Sequence, residues 1–206
     1  MPFSDLPGHS RKMQSTRSYL RAATRETHDE IDVIYWSMLG FKTYDSYDRL
    51  LQNMLVAYQT LGVPAVRGLK ELGDLFPAER FECAISVDRN TQHDAPSIHR
   101  TSKISNGQAW GIGYALVGSC AGAKMMINSG HLKSTWKTGY LTAASEFASQ
   151  GGVANFFRGI DAAQPDVREA SIGAHSVFDC LRAPLRREHP LPYAGGHAPS
   201  ILRGTI

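Results

Sequence analysis

In LRAATRETHDEID, residues 20–32, a histidine lies inside a run of helical spacing, with an aspartate four residues later and an arginine seven before. Side chains four or seven apart in a helix share a face. Arg21, Thr24, His28, Ile31, Asp32 and Tyr35 therefore form one stripe. A neutral imidazole binds a metal through one nitrogen, and a partner on the other nitrogen fixes its tautomer and raises its basicity. His28 is placed to ligate, and Asp32, or a water it holds, to be that partner. The plain alternative is a structural histidine hydrogen-bonded in the core, with Arg21 and Asp32 as surface charges of little consequence for stability.

A second chemically unusual stretch is YALVGSCAGAKMM, residues 114–126, within a longer segment that also holds Gly111 and Gly113. Each glycine inside a helix costs about 0.5–1 kcal/mol relative to alanine. Gly118 and Gly122 are four apart and bare the backbone on one face. Either a second helix packs very closely there, or a flat ligand lies against the main chain. Cys120 falls between them, as a group touching such a pocket or as a small buried filler.

The elements that must carry these residues read as helices, because apolar residues recur at helical spacing and alternating β-branched runs are nearly absent. Ser15 or Thr16 caps a first helix reaching about Ser37, with Leu20, Ala23, Ile31, Ile34 and Met38 on its apolar side. A second begins at Thr43 or Asp45 and is interrupted at Gly62 and Pro64. Pro77 suits the first turn of another, through about Asp88. Residues 89–104 form a polar connection in which His93 and His99 are solvated. The glycine-rich helix spans about Asn106 to Ile127, with Met125 and Met126 in the core. Helices follow in HLKSTWKTGYLTAASEFA, where His131 is a surface or cap residue, in GGVANFFRGI, and from Pro165 onward, where His175 is another. The expected architecture is one all-α domain of seven or eight helices over residues 15–183. It has an N-terminal extension at 1–14 and a flexible tail at 184–206.

The 206 residues carry a formal charge of +3, with 42% hydrophobic and 20% charged side chains, as expected of a soluble globular protein and with no strong pull towards nucleic acid. Cys83, Cys120 and Cys180 form no CxxC pair, which suggests free, mostly buried thiols in a reducing cytoplasm. MPFSDLPGHSRKMQ has no apolar run of the secretory kind. The apolar segment 109–127 nears the length of a membrane span, but its glycines, Ser119 and Lys124 favour a buried helix.

Taken together, the two unusual stretches carry a resemblance. LRAATRETHDEID resembles the proximal-helix signature of the heme oxygenases, L-(K/R)-x-A-T-x-x-x-H. YALVGSCAGAKMM is similar to the distal segment of their bacterial, phytochrome-associated branch, about Y-V-L-E-G-S-T-L-G-G, at a similar separation of about ninety residues. FFRGIDAAQPDVREASIGAHSVFDCL resembles the last two helices of the same family. The likeness covers about residues 15–183. It implies that His28 is the ligand of heme iron and Asp32 its acidic neighbour. Arg21 and Arg158 would meet the heme propionates, with Thr24 beside them in the proximal signature. Gly118 and Gly122 would lie over the distal face, with Ser119 between them and Phe178 near the pocket. The chain departs from the pattern at Val117, where a glutamate is usual, and at Ala121, where a leucine is usual. Ala123 stands where a second consecutive glycine is expected, so a methyl there bears on the distal bend and the room above a heme. Ser119 occupies the place of an aspartate that orders distal water in the animal enzymes; the bacterial branch also has serine there.

The implied activity is oxidative cleavage of heme b, substrate and cofactor at once, to biliverdin, CO and ferrous iron. It would use O2 and electrons from a donor such as a ferredoxin or a flavin reductase, with a bacteriophytochrome as a user of the biliverdin. The implied location is the cytoplasm, without membrane or nucleic-acid partners. Two other readings stand beside it. One is a heme- or tetrapyrrole-binding protein of the same fold that does not degrade its ligand. The other is a helical enzyme with a di-iron or organic cofactor, which needs several carboxylates and histidines at helical spacing; no Glu-x-x-His pair falls on the inferred core faces.

Overall fold

The computed structural model describes residues 15–39, 44–90, 103–130 and 132–186. The helices are α1 (Thr16–Leu39), α2 (Tyr44–Ala57), α3 (Val63–Gly68), α4 (Lys70–Gly73), α5 (Ala78–Asp88), α6 (Asn106–Asn128), α7 (Gly139–Ser149), α8 (Gly152–Ala163) and α9 (Val167–Arg186). A π-helical turn, Tyr58–Gly62, joins α2 to α3 without a break. With that rod counted once and α4 as a single turn, the described residues form an all-α bundle of the expected size, with no strand among them. No helix among the described residues is long and apolar enough to cross a membrane.

Two helices hold the centre. α6 packs mainly on α9 and α7, while α1 packs on α9, α2 and α8. α9 is thus the shared neighbour of the two helices that carry the distinctive sequence stretches. The α6–α9 contact is backbone on backbone. A methyl at Gly111 would lie 1.7 Å from the Ala170 carbonyl oxygen, and one at Gly173 would lie 2.1 Å from that of Gln108. These two glycines therefore carry the close-packing reading of a glycine-rich helix. Ser105 begins α6 with a capping box: its hydroxyl accepts from the Gln108 amide at 3.2 Å, and its own amide donates to the Gln108 side chain at 3.1 Å.

Several expected boundaries move, each for a local reason. Gly62 and Pro64 do not interrupt the second helix. The Val63 amide bonds back to the Tyr58 carbonyl, and the wider turn carries the chain past the proline. The helix expected from His131 begins only at Gly139, because Trp136 leaves the helical path to stack on Tyr47, 5.3 Å between ring centres. Thr138 does not cap α7. Buried Asp88 does, its carboxylate accepting from the Gly139 and Tyr140 amides at 3.0 and 2.7 Å. Asp166, rather than Pro165, opens α9 by accepting from the Arg168 and Glu169 amides. α9 runs through Pro184 to Arg186, past the expected start of the tail. One missing donor in a final turn does not unwind a helix already packed on α1 and α6. Ala23 and Met125 are exposed, and Cys83 is an exposed thiol rather than a buried one. The side chains of Ile34 and Met38, and the expectations for His93, His99 and His131, lie outside the described residues, as do residues 1–14 and 187–206.

Candidate functional site

His28 lies on an outer turn of α1, with its side chain 54% exposed. Its Nδ1 is 3.1 Å from the Asp32 carboxylate, as the four-residue spacing predicts. That hydrogen bond raises the imidazole pKa above its ordinary value; burial opposes the shift, and the charges of Asp32 and Asp29 add to it. With Nδ1 engaged, Nε2 is the nitrogen left to act as a ligand. The ring meets the edge of Phe178 on α9, 6.0 Å between centres at 82°. Phe178 is itself 5% exposed, so it is a fixed backstop.

The glycines of α6 divide into two groups. Gly107, Gly111 and Gly113 are filled: a methyl at each would strike Glu169, the Ala170 backbone, or Leu72 and Phe156. At Gly118 and Gly122 an added methyl would meet nothing within 4 Å beyond the local helix backbone, and both residues are partly exposed. Helix packing accounts for the first group and leaves the second without an occupant. A helix that gives up side chains over an open face has room for a flat group against its main chain.

α1 and α6 approach each other one turn before these residues. Tyr114, four residues before Gly118, stands beside Thr24, four residues before His28. Burial raises the Tyr114 hydroxyl pKa, while the hydrogen bond with Thr24 and the charges of Arg17 and Arg21 pull it down. Thr24 is buried and donates to the Leu20 carbonyl at 2.8 Å. Arg17 lies over the Phe157 ring at 4.4 Å, and that ring also meets Tyr114. Arg21 is exposed on the same helix. Arg158 is exposed on α8, held by the Asn155 side chain, one residue beyond Phe157. Arg17 and Arg21 therefore place two cations near Tyr114, at one end of the α1–α6 pair.

Other expected site residues turn elsewhere. Ser119 donates to the Leu116 carbonyl at 2.6 Å and sits 3.3 Å from the Tyr140 hydroxyl, towards α7. Cys120 is fully buried, its thiol pushed up to about 12 chiefly by burial beside Tyr58 and Ser119. About 200° of helical rotation separates it from Gly118, so it is a core filler rather than a wall of the open face. Val117 and Ala123 are also buried, and the Ala123 methyl packs into the core. The Tyr58 hydroxyl, fully buried beside Tyr140 and Ser119, finds no hydrogen-bond partner, and burial raises its pKa well above the ordinary value.

Arg17 and Tyr114 were not singled out from the sequence. The signal for them was present: each precedes a selected residue, Arg21 or Gly118, by one helical turn. The described residues hold no group of three or more His, Cys, Asp or Glu side chains able to share a metal ion, and His28 is paired with the carboxylate of Asp32. No family model, no curated protein and no solved structure matches the chain.

Proposed function

We propose that the chain binds heme between the His28 turn of α1 and the Gly118–Gly122 face of α6, and that it is a heme oxygenase. The observation that carries this reading is the division of glycines in α6: three are filled by neighbours, and two, at the positions that resemble the family's distal pair, keep open space. The residues fit the group. Heme is flat and apolar, with two carboxylates at one edge, and needs an axial ligand, apolar walls and cations at the rim. His28 supplies a nitrogen backed by Asp32, Phe178 an apolar contact, and Arg17, Arg21 and Arg158 the positive rim.

When bound, heme supplies the iron at which O2 is reduced and the ring that is opened to biliverdin, CO and ferrous iron. The chain's own work is steric and electrostatic. Asp32 holds the His28 ring in one orientation and keeps the Nδ1 proton, leaving Nε2 for the iron. Bare main chain at Gly118 and Gly122 lets α6 approach the opposite face, where a side chain would stand off the ligand. Arg17 and Arg21 would hold the heme carboxylates and so orient the ring. Electrons come from a separate donor of the ferredoxin or flavin-reductase kind, and a bacteriophytochrome would use the product.

One observation favours the second reading, a non-degrading heme or tetrapyrrole binder. The Ser119 hydroxyl is committed to the Leu116 carbonyl and turned towards Tyr140, so it is not the donor over the open face. The visible spectrum separates the two. Hemin gives a Soret band with the wild-type protein that His28→Ala shifts and Gly118→Leu weakens. With reductant and O2, bleaching of that band with growth of biliverdin absorbance marks the oxygenase, and a stable band marks the binder. Sustained biliverdin formation by Gly118→Leu would overturn the placement.

A further inference from the structure

Arg182 on α9 reaches across to α1. Its guanidinium donates to the Glu30 carboxylate at 3.0 Å and to Asp179 at 2.5 Å. The Arg182 and Glu30 side chains are 24% and 19% exposed, whereas Arg25–Asp29, Arg67–Glu79 and Arg80–Glu146 pair groups that are all more than half exposed. Glu30 stands two residues after His28, and Phe178, one turn before Arg182, is the ring that His28 meets edge-on. One stretch of α9 therefore grips α1 by an ion pair and backs the imidazole with an aromatic edge. That stretch is anchored in turn, since the Asn53 side chain of α2 donates to the Leu181 carbonyl at 3.5 Å. At its other end α1 is tied through the Arg17 amide to the Asp161 carboxylate at 3.2 Å.

We propose that Arg182 is a positioning residue for His28: through Glu30 it sets the height and rotation of the α1 turn that presents the imidazole. This rests on the reading of His28 as the heme ligand. α1 is thus held near its start by α8 and beside the His28 turn by α9. A guanidinium that binds two carboxylates at once fixes direction as well as distance. Asp179 holds the fork from its own helix, so Arg182 is oriented before it meets Glu30.

The test uses the full chain, with hemin as the probe, and the variants Arg182→Met, Glu30→Gln, Arg182→Lys and the exchanged pair Glu30→Arg with Arg182→Glu. In the ligand-free protein, Arg182→Met speeds amide exchange about tenfold across residues 27–33 and leaves α6 unchanged; partly buried pairs fall between exposed and buried ones in strength. In the hemin complex it speeds hemin loss to a scavenging globin by a similar factor and shifts the ferrous iron–imidazole stretching band. Arg182→Lys, which keeps the charge and loses the fork, falls between wild type and Arg182→Met, and the exchanged pair recovers most of the loss. Exchange and hemin loss both within twofold of wild type would overturn the inference, as would uniform acceleration over α1, α6 and α9 with an unchanged iron–imidazole band, which marks general destabilisation. If His28→Ala leaves the wild-type hemin spectrum unchanged, the ligand reading fails and takes this inference with it. If His28→Ala shifts that spectrum and the Arg182 variants do not, the inference alone fails.

Discussion

At the residue scale, the same amino acid does opposite work at two places in one helix. Gly111 is required by the Ala170 carbonyl, whereas Gly118 faces open space. Gly111→Ala is therefore expected to destabilise the ligand-free protein by about 3 kcal/mol or more, since backbone cannot yield as a side chain does. Gly118→Ala is expected to stabilise it by about 0.5–1 kcal/mol through helix propensity, while weakening hemin binding. Urea unfolding of both variants checks the pair, and loss of stability on Gly118→Ala would mean that the face is already filled. His28 carries a second prediction. Its hydrogen bond to Asp32 holds the folded-state pKa above the unfolded value of about 6.5. The charged pair thus contributes stability that is complete below about pH 6.5 and is lost as pH rises through the folded-state pKa. A proton NMR titration of the ligand-free protein should show His28 with a raised midpoint that Asp32→Asn brings down. The melting temperatures of the two proteins should differ more at pH 6 than at pH 9.

At the element scale, the helices are held by caps and anchors that come from far along the chain. Asp88, at the end of α5, caps the start of α7, although Thr138 stands next to it with a side chain of the usual capping kind. Asp88→Ala leaves the Gly139 and Tyr140 amides, the second of them buried, without their acceptor, and an expected loss of about 1–3 kcal/mol follows. Thr138→Ala should change stability by less than about 0.5 kcal/mol. Thermal unfolding of both variants decides which residue is the cap. The π-helical turn has a similar logic. A methyl at Gly62 would lie 2.8 Å from the end of the Leu116 side chain of α6, which would have to shift, so the turn packs closely on the glycine-rich helix.

At the scale of the whole molecule, burial sorts the cysteines. Cys83 is exposed on α5, Cys180 is half-buried on α9, and Cys120 lies in the core with its thiol held up to about 12 by burial. Iodoacetamide at pH 8 should label Cys83 within minutes and leave Cys120 unlabelled until denaturant is added, since the thiolate is the reactive form. Mass spectrometry of the digest reads this directly, and early labelling at Cys120 would mean that α6 opens towards solvent on the α7 side.

Much was legible in one dimension because it depends on periodicity alone. The all-α class, the run of α6, and the His28–Asp32 pair follow from positions three or four apart in a regular helix, and local geometry guarantees them. Contacts between residues far apart in sequence carry no such signature. Nothing in the chain links Glu30 to Arg182, or Asp88 to Gly139, or shows that Gly111 is filled while Gly118 is open, since all of these depend on where a second helix passes. Ser119 and Cys120 were read by their place between two glycines, yet their side chains leave that face by helical rotation and settle according to what α7 and the π-helical turn present. The spacing of residue types thus determined which helices exist and which face each offers. The packing of α6 and α1 onto α9 alone decided which faces are buried against backbone and which are left open.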